Sequence, residues 1–84
     1  MKFTPELNKY FEHSGSCDKY DYYDLLPDFE CWGNSGKYDV VVVNVDRSGK
    51  ITHIHDKERG ELKASPGMEL TIYRRSIKHL GTFR

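Results

Sequence analysis

Apolar positions near the N-terminus recur at the three- and four-residue spacing of a helix. The residues that share this helical face are Leu7, Tyr10 and Phe11. Thr4 followed by Pro5 is typical of a helix start, because a threonine side chain caps free backbone N–H groups. The pattern predicts a helix over residues 5–13. A second helix is expected that Ser16 or Asp18 caps and that runs to about Leu26, where Pro27 ends it.

The rest of the chain alternates between short apolar runs and turn residues, which is typical of strands. Residues 38–45 form the strongest predicted strand, and apolar side chains on both of its faces indicate a central position. A turn then leads to a second strand over 51–56, and a weak strand is expected over 61–64. Residues 68–75 fit a helix or a strand, and their β-branched side chains favour a strand. A helical turn is expected over 76–80.

These elements predict an α+β fold, with one or two short N-terminal helices packed on a small, mainly antiparallel sheet of three to four strands. We expect a short turn at 28–32 and a single domain over 1–84. In it, a loop at 33–36 separates a helical acidic part, 1–32, from a β-rich basic part, 37–84. The residues expected in the core are Leu7, Phe11, Leu25, Val41, Val43, Leu70 and Ile72.

The composition is typical of a folded protein, with 37% hydrophobic and 13% aromatic residues. A chain of 84 residues leaves little room for both a core and a deep active site. No apolar run approaches the roughly 20 residues of a membrane helix, and the N-terminus is unlike a signal peptide. We therefore expect a cytoplasmic protein that does not bind membranes, with Cys17 and Cys31 as reduced thiols.

The neutral total charge hides a division between the two halves of the chain. Residues 1–46 contain nine acidic and four basic residues, whereas residues 47–84 contain nine basic and four acidic ones. This division favours an electrostatic partner, or pairing between two copies of the chain in a homodimer. The alternative is that the two halves neutralise each other in the fold.

Basic residues near the C-terminus flank an aromatic side chain, the combination that contacts phosphates and stacks on bases. On a strand, Tyr73 and Arg75 would share one face with Thr71. The candidate nucleic-acid contacts are Tyr73, Arg74, Arg75, Lys78 and Lys50. We expect RNA rather than DNA as the ligand. The alternative is an ordinary solvated surface.

An acidic and aromatic run in the first half suggests a second contact surface. On a helix, the spacing of three residues would place Asp18, Asp21 and Asp24 along one side. Together with Tyr22, they are candidate contacts for a basic protein partner, such as a protein that handles nucleic acid. The alternative is that the tyrosines pack inward and the aspartates are solvated.

A pair of histidines provides the main alternative chemistry. His53 and His55 lie two residues apart on an expected strand, so both imidazoles would face one side and suit a metal ion. A metal-binding protein or a metal-dependent enzyme would follow from such a site.

Signatures of common enzymes are missing from the sequence. It contains no glycine-rich phosphate loop, no nucleophile elbow and no CxxC pair. We therefore expect no cofactor and no catalysis. The leading hypothesis is a small binding or inhibitor protein that acts on nucleic acid or on a nucleic-acid-handling protein. Its size and charge division resemble those of small phage or mobile-element proteins that block host factors, and a self-assembling protein is a further alternative.

Overall fold

The computed structural model describes residues 1–84 and places more than half of them in antiparallel strands. The elements, in chain order, are α1 (Pro5–Asn8), β1 (Phe11–Ser16), β2 (Tyr20–Leu25), β3 (Phe29–Gly33), β4 (Tyr38–Asp46), β5 (Ile51–Asp56), β6 (Gly60–Lys63), β7 (Leu70–Arg74) and β8 (Lys78–Phe83). The fold is nearly all β. The prediction of an α+β fold, with helices on a sheet of three to four strands, is therefore wrong.

The only helix is a single turn at the N-terminus. The Thr4 hydroxyl accepts a hydrogen bond from the backbone N–H of Leu7 at 3.2 Å, and Pro5 occupies the first helical position. The helix starts where the sequence predicts, but it ends at Asn8 because residues 11–16 pair with β2. No helix in the structure has the length and apolar character needed to cross a membrane.

Two segments that were predicted as a helix and a turn are strands. Strand β2 is hydrogen-bonded to β1 on one side and to β4 on the other. Its tyrosines suit a pleated surface. The three-residue spacing of its aspartates therefore does not place them along one side of a helix. Strand β3 pairs with both β4 and β7, so residues 28–32 do not form a turn. The helical turn expected at 76–80 is also wrong, because β8 begins at Lys78.

Strand β4 belongs to two sheets, and this gives the fold its shape. Its residues 42–46 pair with β2, whereas its residues 38–39 pair with β3. Sheet 1 has the strand order β1-β2-β4-β5-β6, and sheet 2 has the order β4-β3-β7-β8. The strands predicted at 38–45, 51–56 and 61–64 are all observed, and β4 has the expected central position.

The hydrophobic core draws on both sheets and on both halves of the chain. Its buried members are Leu7, Phe11, Cys31, Val40, Val43, Val45, Ile51, Ile54, Met68, Leu70 and Ile72. Five of the seven residues expected there are buried, but Leu25 and Val41 are only half-buried. Val40 is buried where Val41 was expected, because a β-bulge shifts the register of β4 against β5.

Candidate functional site

The outer surface of sheet 2 carries three ring side chains. Alternation along β3 buries Cys31 and turns Trp32 outward, and alternation along β7 buries Ile72 and turns Tyr73 outward. His79 lies beside Tyr73 on the neighbouring strand β8. The surface formed by Trp32, Thr71, Tyr73, His79 and Thr82 is called the aromatic face below.

Strand register sets the spacing of these side chains. Trp32, Thr71 and Thr82 are paired across β3, β7 and β8, and Tyr73 and His79 form the next pair along. The ring centroids of Tyr73 and His79 are 5.2 Å apart with an interplanar angle of 54°. The His79 Nε2 atom lies 3.3 Å from the Thr82 hydroxyl oxygen. The rings are therefore held by regular strands rather than by loops.

The aromatic face forms an open concavity of about 720 Å³, the largest hollow on the surface. Its rim includes the turn between β3 and β4, in which Asn34 and Ser35 have positive φ angles of 50° and 60°. The Asn34 side chain accepts a hydrogen bond from the backbone N–H of Glu69 at 3.1 Å. This contact ties the rim to the start of β7. A ligand would thus meet a largely preformed surface.

Cationic side chains lie at both ends of the aromatic face. Arg74, Arg75 and Lys78 are exposed around the turn between β7 and β8. At the opposite end, Arg84 directly follows β8, and Lys37 follows the rim turn with its ammonium 5.5 Å from the Tyr38 ring centroid. The guanidinium of Arg84 is paired with the Glu69 carboxylate at 2.9 Å. The ends of the concavity are therefore more basic than its floor.

The structure brings together some of the predicted nucleic-acid contacts and separates others. Tyr73 shares its face with Thr71, as expected. Arg75 lies in the turn rather than on the strand, and its side chain donates to the backbone carbonyl of Pro27.

Two more of these basic residues lie away from the ring side chains. The Arg74 guanidinium is 5.4 Å from the ring centroid of Phe29, on the other side of sheet 2 from Tyr73. Lys50 lies in the turn between β4 and β5 and lines a separate hollow with Met1 and Lys63. Lys50 therefore takes no part in the aromatic face.

The acidic residues do not form the row that a helix would make. Asp21 and Asp24 point to opposite faces of β2, and Asp18 lies in the turn before it. The Asp21 carboxylate accepts from the Ser16 hydroxyl at 2.6 Å and pairs with Arg47 at 3.3 Å. The Ser16 hydrogen bond and the Arg47 charge hold the pKa of Asp21 below its usual value. This ion pair joins the acidic and basic halves, which interleave in the fold.

Tyr22, the fourth member of that predicted surface, contacts a thiol. Its hydroxyl donates to the Cys17 sulfur at 3.4 Å. This hydrogen bond, with backbone N–H groups of Lys19 and Tyr20, lowers the pKa of Cys17, and it raises the pKa of Tyr22. Cys31 is buried in the core, and burial raises the pKa of its thiol. Both cysteines are free thiols.

The two histidines lie on the outer side of sheet 1, on the same face as predicted. The Nε2 atom of His55 is 3.0 Å from the Asn44 amide oxygen and 3.3 Å from the Glu61 carboxylate. The His53 ring packs edge-on against Tyr20, with centroids 5.5 Å apart. Nowhere do three or more His, Cys, Asp or Glu side chains converge in a way that suits a metal ion. Both imidazoles contact side chains of other strands of sheet 1.

Trp32 does not stand out as a functional residue in the sequence alone. The signal lies in the alternation of residues 29–33, in which a buried Cys31 requires an outward Trp32. That signal becomes visible only when β3 is known to be a strand. The sequence does not reveal the pairing of His79 with Tyr73 either, because the two residues lie six positions apart and are brought close by the pairing of β7 with β8.

The sequence matches no protein-family model and no curated protein, and the structure matches no solved structure.

Proposed function

We propose that the protein is a small, non-catalytic RNA-binding protein that holds unpaired bases on its aromatic face. One observation carries the proposal: Trp32, Tyr73 and His79 are held outward on adjacent strands above an open concavity. Aromatic rings on a sheet are a common platform for unpaired bases. Each stacked base contributes about 1–3 kcal/mol by alanine substitution.

Rigid support of the rings favours this use. The inward neighbours of the ring-bearing positions, Cys31 and Ile72, are fully buried, so the strands cannot shift easily. Ring side chains have few rotatable bonds and lose little conformational entropy when a ligand stacks on them. Little of the stacking free energy would therefore be lost to ordering of the rings, and most of it would contribute to the binding affinity.

The charges around the face suit a phosphate backbone. Arg75 at one end, beside Glu30, and Arg84 at the other, on Glu69, lie where a strand of RNA would enter and leave. Three carboxylates lie close to the rings, because Asp39 pairs with Trp32 and joins Glu30 in the hollow that Arg75 lines. Glu69 is paired with Arg84, and Glu30 shares a hollow with Arg75. Repulsion of the phosphates is reduced accordingly.

Hydroxyl groups on the floor of the face support RNA rather than DNA. Thr71 and Thr82 line the concavity between the rings. A threonine hydroxyl both donates and accepts hydrogen bonds, as does the ribose 2′-hydroxyl that distinguishes RNA. A catalytic role has less support, because His79 contacts Thr82 and has no carboxylate partner to orient it as a base. A small protein that covers unpaired RNA keeps other proteins from that RNA, which fits the role of an inhibitor.

A direct test uses the fluorescence of Trp32, the only tryptophan of the chain. Titration with a short, unstructured oligoribonucleotide at low salt should quench this fluorescence in a saturable way. The affinity should fall with added salt, with a slope of about −0.7 for each phosphate contact. DNA of the same sequence should bind more weakly.

Matched variants separate the aromatic face from other tyrosine surfaces. Tyr73→Ala should weaken RNA binding about tenfold, since it removes one stacking ring. Tyr22→Ala, on the outer side of sheet 1, should leave the affinity unchanged. An absence of quenching at low salt would refute the proposal, as would equal effects of the two substitutions.

A further inference from the structure

The tip of the β7–β8 hairpin exposes an isoleucine in a strained conformation. Ile77 is 85% exposed and is the only large hydrophobic residue in this state. Its φ angle is 69°, a left-handed value that β-branched residues avoid. Its backbone N–H donates to the carbonyl of Arg74 at 2.7 Å and closes the turn. Glycine or asparagine would adopt this geometry at lower cost, so folding alone does not account for an isoleucine here.

The charges of the turn point to an anionic partner. Arg74, Arg75 and Lys78 flank Ile77 along the chain, and all three are exposed. None of them forms an ion pair with a carboxylate in the structure. An exposed apolar tip with cationic residues on both sides along the chain fits a ligand that combines phosphates with apolar base surfaces.

The hairpin tip is continuous with the aromatic face. Tyr73 directly precedes Arg74, and His79 directly follows Lys78, so their ring pair lies at the base of the turn. An RNA strand stacked on these rings would reach Ile77 within one or two nucleotides, given the rise of roughly 3.3 Å for each residue of a strand. The aromatic face and the tip would then contact adjoining parts of one ligand.

We infer that Ile77 is a wedge that packs against the last base pair of a stem, and that the preferred ligand is RNA in which an unpaired segment adjoins a duplex. This inference rests on the proposed function, because the unpaired segment would occupy the aromatic face. Apolar side chains of this size insert at base steps in other nucleic-acid-binding proteins and stabilise the unstacked state. The turn cations would contact the phosphates on both sides of the junction. A membrane is a poorer match, since one isoleucine offers little apolar area for insertion.

The test compares two RNAs and a matched pair of variants. One RNA is a hairpin with a single-stranded overhang, and the other is the overhang sequence alone. The wild-type protein should bind the junction about tenfold more tightly than the single strand. Ile77→Leu, which keeps an apolar side chain, should retain this preference. Ile77→Asn should lose it while its affinity for the single strand stays unchanged.

A fluorescent base gives a direct readout of the wedge. 2-Aminopurine in the terminal base pair of the stem should brighten when the wild-type protein binds, because Ile77 displaces the unpaired base that is stacked on it. It should stay dim with Ile77→Asn. Asparagine tolerates left-handed geometry, so this variant should melt at or above the wild-type temperature, and misfolding would not explain its loss.

Each other outcome overturns the inference in a distinct way. Equal affinity of the wild type for the two RNAs, or a junction preference that survives Ile77→Asn, would remove the wedge and leave the aromatic face intact. Binding to vesicles of phosphatidylserine and phosphatidylcholine that Ile77→Asn abolishes, with no change in RNA binding, would assign the tip to a membrane. Lack of any Tyr73-dependent binding to the single strand would overturn the proposed function as well.

Discussion

Val40 and Val43 both lie fully buried in the core, although they are three residues apart on one strand. Regular alternation would place them on opposite faces of β4. The register explains the exception, because Val40 pairs with Asp56 and Val42 pairs with His55, which leaves Val41 as an extra residue. This bulge returns Val40 to the core side and leaves Val41 half-buried.

The bulge predicts unequal effects of two neighbouring substitutions. Val40→Ala should lower the free energy of unfolding by about 2 kcal/mol, because it removes buried methyl groups and leaves a cavity. Val41→Ala should lower it by less than about 1 kcal/mol. Urea denaturation followed by circular dichroism measures both values. A larger loss for Val41→Ala would contradict the observed register.

The carboxylate of Asp56 predicts a loss of stability in acid. This side chain is 5% exposed and accepts backbone N–H groups of Arg59, Glu58 and Asp39. These hydrogen bonds, with that of Arg59 the strongest contributor, hold the pKa of Asp56 below its usual value. The lowered pKa contributes stability that is present above the unfolded-state pKa and lost as pH falls through the folded-state pKa. Melting temperatures should therefore drop steeply below about pH 4.

A variant isolates the part of this pH dependence that belongs to Asp56. Asp56→Asn should lower the melting temperature near neutral pH and flatten the fall in acid. Part of the fall should remain, because Asp21 and Asp46 also have lowered pKa values. Asp24→Asn, at an exposed position, serves as the control and should follow the wild-type curve. An Asp56→Asn curve parallel to that of the wild type would refute the assignment.

The strained turn predicts that a glycine stabilises the fold. Ile77→Gly should raise the free energy of unfolding by about 0.5–1 kcal/mol, because glycine adopts a φ of 69° without steric cost. Gly49→Ala provides the reverse change at a φ of 83°, where an added Cβ would meet no atom within 4 Å. It should lower stability by about 1 kcal/mol through the backbone alone. Thermal unfolding of both variants checks the pair, and a destabilised Ile77→Gly would disprove the strain.

The two cysteines should differ sharply in reactivity. Cys17 is exposed and has a lowered pKa, so it should react with iodoacetamide in the native protein. Cys31 should react only after unfolding, since it is buried and its pKa is raised. Tyr22→Phe should slow the reaction of Cys17 near neutral pH, because loss of the hydroxyl donor raises the thiol pKa. Mass spectrometry of timed samples counts the modified sites, and unchanged kinetics in Tyr22→Phe would exclude this hydrogen bond.

Local signals in the sequence were sufficient for several elements. Thr4 and Pro5 determine the helix start through backbone capping and a fixed φ angle. The valines of 38–45 and the turn that follows specify β4 and its hairpin with β5, because β-branched side chains favour extended backbone. Each of these preferences acts between residues that are close along the chain.

Tertiary pairing decided the remaining elements and the candidate site. Residues 20–25 and 29–33 contain patterns that fit a helix or a turn, and they became strands because β4 and β7 supply hydrogen-bond partners along their edges. The aromatic face exists only after that pairing, which places Trp32 next to residues about forty positions away. Such contacts depend on the register between distant segments. Local sequence patterns do not specify which strands will pair with each other.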